Sequence, residues 1–140
     1  MGLQELMTTI LDQGPFDGTG PEPCVPLELF FDGNDELGSI GCNLSEHPGT
    51  ARFHEVLVAI RGRPEVTDVV VGITEIMPEG EWPFSDHVYV IASALPEHVA
   101  LWAQDLFPDH AIVGFWSSDG PPRRFPDVPA GQHVVMLWWD

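Results

Sequence analysis

With 140 residues, five basic and 22 acidic side chains and a net charge of −17, the chain has room for one hydrophobic core and would be repelled by nucleic acid or an anionic membrane surface. A 44% hydrophobic content, five Trp and a mean hydropathy of +0.02 exclude the disorder that such charge usually implies. All the bases are arginine, a usage that points to a GC-rich bacterial genome.

Residues 1–5 (MGLQE) lack the positive stretch and apolar run of a signal peptide or membrane span, so a cytoplasmic protein is expected. Leu6 stands where a myristoylation signal needs Ser or Thr. Cys24 and Cys42 are then free thiols rather than a disulfide framework, and the sequon Asn43-Leu44-Ser45 is a chance match.

Leu3, Leu6, Met7 and Ile10 form the single stripe of a short amphipathic helix, giving an N-terminal element over 1–13. From 14 to 23, six of ten residues are Gly or Pro, which predicts a linker, with the main α+β domain spanning 24–140. Val25 to Phe31 alternates like a strand. Thr50 reads as the N-cap of a helix carrying Phe53, Val56, Leu57 and Ile60, stopped by Gly62 and Pro64. Val66 to Ile76 is a β-branched strand and His87 to Ser93 the next. Pro96 opens a second helix with Val99, Trp102, Ala103 and Leu106 as its buried stripe. Ala111 to Trp116 is a strand, 117–131 a Pro-rich loop, and His133 to Trp139 a C-terminal strand.

This order predicts a ferredoxin-like βαββαβ core, two helices on one face of an antiparallel sheet, with an added C-terminal strand and the N-terminal helix. Such a sheet should alternate apolar and polar residues, yet Val70 and Ile76 oppose Val69, Val71 and Ile73, Tyr89 and Ile91 oppose Val88 and Val90, and Val134, Met136 and Trp138 oppose Val135, Leu137 and Trp139, so both faces are apolar. Cover by the N-terminal helix or by a second subunit packing sheet to sheet, hence a homodimer, is the expectation. A hydrophobic-ligand groove is the alternative.

The same topology sends segments 32–38, 78–86 and 108–110 to one end of the sheet. Asp32, Asp35, Glu36, Glu79, Glu81, Asp86 and Asp109 would gather there around Trp82 and Phe84. An aromatic anchor ringed by carboxylates suits a basic protein partner.

Catalytic motifs are missing. Asp32-Gly33-Asn34-Asp35-Glu36 begins like a calcium loop but has Leu37 where the turn Gly belongs and Asn43 where the bidentate Glu belongs. Cys42, Glu46, His47 and His54 lack the spacing of a metal site, and no spacing pairs Cys42 with a base. His87 beside Asp86 and His110 beside Asp109 would favour protonated imidazoles at the acidic end. Arg123-Arg124 reads as an internal brace. The expectation is therefore a non-catalytic acidic protein, inhibitor-like or immunity-like, that binds a basic protein without cofactor or metal. The alternative is a small enzyme or hydrophobic-ligand carrier using the second sheet face or a Cys/His/Asp site.

Overall fold

Runs of β-branched residues build the middle of the sheet. In the computed structural model, which describes residues 2–140, β2 (Val66–Gly72) and β3 (His87–Ala92) form an antiparallel pair, and β5 (His133–Trp138) pairs with the far side of β3. Two short strands edge the sheet: β1 (Cys24–Pro26) lies on β2 and β4 (His110–Val113) on β5. The order is β1-β2-β3-β5-β4, with every neighbouring pair antiparallel. A ferredoxin-like core needs its first strand in the interior beside the third. Here the first strand is an edge and the last is inserted between β3 and β4, so the fold is α+β with a different strand order.

Among the described residues four α-helices pack on the sheet. The first, α1, spans Gly2–Leu11; Met1, included in the predicted N-terminal element, lies outside the described residues. Position 2 must be small, because a Cβ there would collide with the Asp32 carbonyl oxygen. The predicted strand over Val25 to Phe31 is instead β1 followed directly by α2 (Leu27–Phe31). Leu27, Phe30 and Phe31 also fit the helical i, i+3, i+4 spacing, and that spacing buries all three. α3 (Thr50–Arg61) buries Phe53, Val56, Leu57 and Ile60, as the periodicity predicts. Its cap position is Gly49 rather than Thr50, whose hydroxyl donates to the Asn34 carbonyl at 2.6 Å. α4 (Pro96–Trp102) runs into a 3-10 turn at Gln104–Leu106.

Leu6, Ile10, Phe53, Leu57, Val99 and Leu106 share one core with Val69, Val71, Val88, Val90, Val135 and Leu137. The second face carries Val70, Tyr89, Ile91, Val134 and Met136. α1 does not cover it: α1 packs on the first face, and Phe115, Trp116 and Phe125 fold back over the second. The Pro-rich loop after β4 thus supplies its own aromatic cover, tied down where the Trp116 N–H donates to the Tyr89 hydroxyl at 2.9 Å and the Arg123 N–H to the Glu22 carbonyl at 2.9 Å.

The 14–23 segment is pinned to this cover. Arg123 donates to the Gln13 and Gly14 carbonyls at 3.2 and 3.0 Å, and Arg124 to the Asp12 carbonyl at 2.7 Å. Both cations thereby sit just beyond the C-terminus of α1, where the helix dipole favours positive charge. Among the described residues no helix is long and apolar enough to cross a membrane.

Candidate functional site

The three acidic loops lie at one end of the sheet. Loop 32–39 meets loop 78–86 where the Ser85 N–H donates to the Ser39 carbonyl at 2.8 Å and the Trp82 N–H to Glu36 Oε2 at 3.3 Å. Segment 108–110 joins them through the chain terminus: the Trp139 N–H donates to the Asp86 carbonyl at 2.9 Å and the Asp140 N–H to Asp109 Oδ2 at 2.6 Å. Asp32, Asp35, Glu36, Glu79, Glu81 and Asp109 are exposed. The aromatic members behave differently. Trp82 is 7% exposed, its indole N–H donating to the Phe30 carbonyl at 2.9 Å, so it anchors the fold rather than standing free. Phe84 is half-buried in a groove of about 320 Å³ with Met77, Glu36, Glu75 and Glu81. Asp86 turns away from the loops toward His87.

No arginine offsets this end among the described residues. Arg52 pairs with Glu55 and Asp105, Arg61 with Glu28 and Arg63 with Glu65, while Arg123 and Arg124 hold backbone carbonyls. The carboxylates at the three loops therefore project an uncompensated negative potential.

The calcium-like run is a turn. Asn34 is buried, its amide donating to the Phe30 carbonyl at 3.2 Å and Ser39 Oγ at 2.9 Å, while its Oδ1 accepts the Glu36 N–H at 3.0 Å. His47 is spent on a second turn, with Nε2 2.7 Å from the Ile40 carbonyl and Nδ1 accepting the Gly49 N–H at 2.9 Å. His54 stacks on Phe31, and Cys42 is exposed. Among the described residues no three His, Cys, Asp or Glu side chains converge as metal ligands.

A second constellation lies beneath the aromatic cover. His87, at the head of β3, is fully buried with Asp86 Oδ1 2.7 Å from Nδ1 and Glu22 Oε2 2.7 Å from Nε2. With both carboxyl groups ionised their oxygens accept, both ring nitrogens donate, and the ring is then an imidazolium. Burial opposes that charge, but the hydrogen bonds and negative charge of the two carboxyl groups outweigh it and raise the His87 pKa. Burial also opposes the charge of Asp86, and His87 together with the Thr74 hydroxyl at 2.9 Å overcomes it, holding Asp86 below the usual range. The Tyr89 hydroxyl donates to Glu22 Oε2 at 2.5 Å; desolvation, then the Glu22 carboxyl, pushes its pKa up. Trp116 lies flat on the His87 ring, centroids 5.3 Å apart and planes 1° from parallel. Glu22 Oε1 is buried with no hydrogen-bond partner. The Cys24 thiol, nearby on β1, is pushed up to about 12 by burial and then by Glu22 and Asp68, so it is no nucleophile.

The outer side of this network forms part of a cavity of about 430 Å³ bounded by Phe16, Asp17, Thr74, Glu75 and Trp116. Thr74 and Trp116 separate it from the His87 ring. Predicted as a surface pair, Asp86 and His87 are instead partly and fully buried; His110 stacks on Trp138 at 5.0 Å rather than pairing with Asp109. Sequence reading missed Glu22, which sits in a Gly/Pro stretch without periodicity. The available signal was Gly72, a glycine inside a valine-rich strand that marks close approach of another group. It faces His87 across the β2–β3 pair, and a Cβ there would fall 2.5 Å from the ring Cδ2.

A family model described as "Uncharacterized protein YfbO family" matches residues 2–137. The relative "Uncharacterized protein YfbO" of Escherichia coli (strain K12) is 38% identical over 121 residues, covering 86% of this chain and 84% of that one. No solved structure matches. The matched residues include the acidic loops, the Glu22 strap, β3, β4 and all of β5 but its last residue, and on this coverage the chain belongs to the YfbO family.

Proposed function

We propose that this chain is a non-catalytic binding protein whose acidic end engages a basic protein partner. The observation that carries the reading is the convergence of three carboxylate-bearing loops with no arginine beside them, around the groove of Met77 and Phe84. A lysine or arginine side chain entering that groove would lay its aliphatic stem on Met77 and Phe84 and bring its charge to Glu36, Glu75 or Glu81. The sealed His87 favours binding over catalysis, since neither ring nitrogen is free to accept a substrate proton.

Trp82→Ala is a poor test, because it removes a buried hydrogen-bonded indole. Glu79→Lys with Glu81→Lys alters exposed side chains only. Pull-down of the basic product of a neighbouring gene is expected to succeed with the wild type. The double reversal should lower the association rate about tenfold or more at low ionic strength and erase its salt dependence. Binding indifferent to both salt and the reversal would refute the reading.

A further inference from the structure

Two chain segments cover the second sheet face, and both are fastened at one ring. Glu22, at the end of the 14–23 strap, accepts from His87 Nε2, and Trp116, at the start of the loop that folds back, stacks on the same imidazole. The two segments are also joined to each other, through the bridge of Pro23 with Arg123 and the Arg123 N–H to the Glu22 carbonyl. Asp86, on the opposite side of the ring, takes the other proton. A neutral imidazole has one N–H and one lone pair, so it can serve only one of the two carboxyl groups. The other then faces a lone pair 2.7 Å away.

We propose that His87 is a proton-operated clasp: the doubly protonated ring holds the 14–23 strap and the Phe115–Phe125 cover against the sheet, and loss of one proton releases them together. Asp86 adjoins His87 in the chain and stays beside the ring, whereas Glu22 lies on a segment 65 positions away, so the bond whose loss frees the cover is the one to Glu22. Glu22 keeps only Tyr89, and its Oε1 has no partner to compensate. The titratable groups around the ring are Glu22 on the strap, Asp86 just before β3, Tyr89 on β3, Cys24 on β1, His110 on β4 beyond Trp138 of β5, and, across Thr74 and Trp116, Asp17 and Glu75. The His87 pKa is raised, so the clasp is fully closed below the ordinary histidine range near 6.5 and opens as pH climbs through the raised value. Opening uncovers Tyr89, Ile91, Val134 and Met136.

The test combines an NMR titration of the His87 ring with amide hydrogen exchange in the full chain from pH 5 to 10. Above the ring's pKa, protection of the strap and of residues 114–125 should fall about tenfold per pH unit relative to β5 amides, which serve as the internal control for base-catalysed exchange. Glu22→Gln supplies an amide that donates to a neutral Nε2. Its cover should therefore stay protected to alkaline pH. Protection that does not follow the ring titration, a ring that keeps both protons to pH 10, or a Glu22→Gln cover that opens at the wild-type pH would each overturn the clasp.

Discussion

Replacing His87 with alanine is expected to remove about 3–5 kcal/mol of folding stability at pH 6, a large share of what one domain possesses. The imidazolium is the donor shared by two carboxyl groups, one of which, Glu22, is fully buried with one oxygen already unpartnered. Removing it leaves both facing each other across a cavity under Trp116. Urea denaturation measures the loss as a drop in midpoint at constant slope. The pH profile identifies its origin. His87 has a raised folded pKa, so its contribution is complete below about 6.5 and declines as pH rises through that raised value. Asp86 has a lowered folded pKa, so its share is complete above about 3.9 and disappears as pH falls through the lower one. The gap between wild type and variant should therefore be widest from about pH 4 to 6.5 and close in alkaline solution. A gap that stays constant from pH 6 to 10 would mean that His87 contributes packing only. The companion change Glu22→Gln should couple to His87→Ala by more than 0.5 kcal/mol in a double-mutant cycle, since the two groups share one hydrogen bond.

The central strands were legible because they are long, β-branched and periodic: β2, β3 and β5 begin where the residue pattern starts, and α3 buries the four residues its spacing selects. Their order was not, because adjacency depends on connections rather than on the strands themselves. The loop that decides it, from 114 to 132, is irregular chain whose informative residues are Phe115, Trp116 and Phe125. Those aromatics pack on the second face, so part of the cover that its apolar residues call for comes from the same chain. The 27–31 segment shows the limit of pattern reading on short runs, where five residues satisfy two periods at once and burial of Phe30 with Phe31 selects the helix. At the acidic end the charges were visible and the aromatic roles were not. An indole with one N–H finds a carbonyl whenever one is in reach, and Phe30 offers it to Trp82. The His87 network joins residues 65 positions apart, beyond any local pattern, so only Gly72 recorded it in advance.

That glycine leads to the second large effect. Gly72→Ala adds one methyl in a strand, which ordinarily stabilises by relieving chain entropy, yet here it should cost about 3 kcal/mol or more. The new Cβ would lie 2.5 Å from Cδ2 of His87, 3.0 Å from Cε1 and nearer still to Nε2. The ring has no retreat: Trp116 covers its face, and its two nitrogens are held by Asp86 and Glu22. Moving it means breaking the hydrogen bond to Glu22, so the steric cost and the electrostatic one arrive together. Thermal melting should show a fall of roughly 10 °C, and NMR titration should find the His87 pKa lowered toward the value of an isolated histidine. Gly38→Ala is the control, because nothing lies within 4 Å of a Cβ there and its φ is not positive; it should be neutral or slightly stabilising. The decisive comparison is the pair. Once His87→Ala has emptied the space, Gly72→Ala has nothing to displace, so its cost in that background should shrink to within about 1 kcal/mol of zero. If it kept its full cost without the imidazole, the glycine would be required by the strand backbone instead, and the close approach would not be its reason.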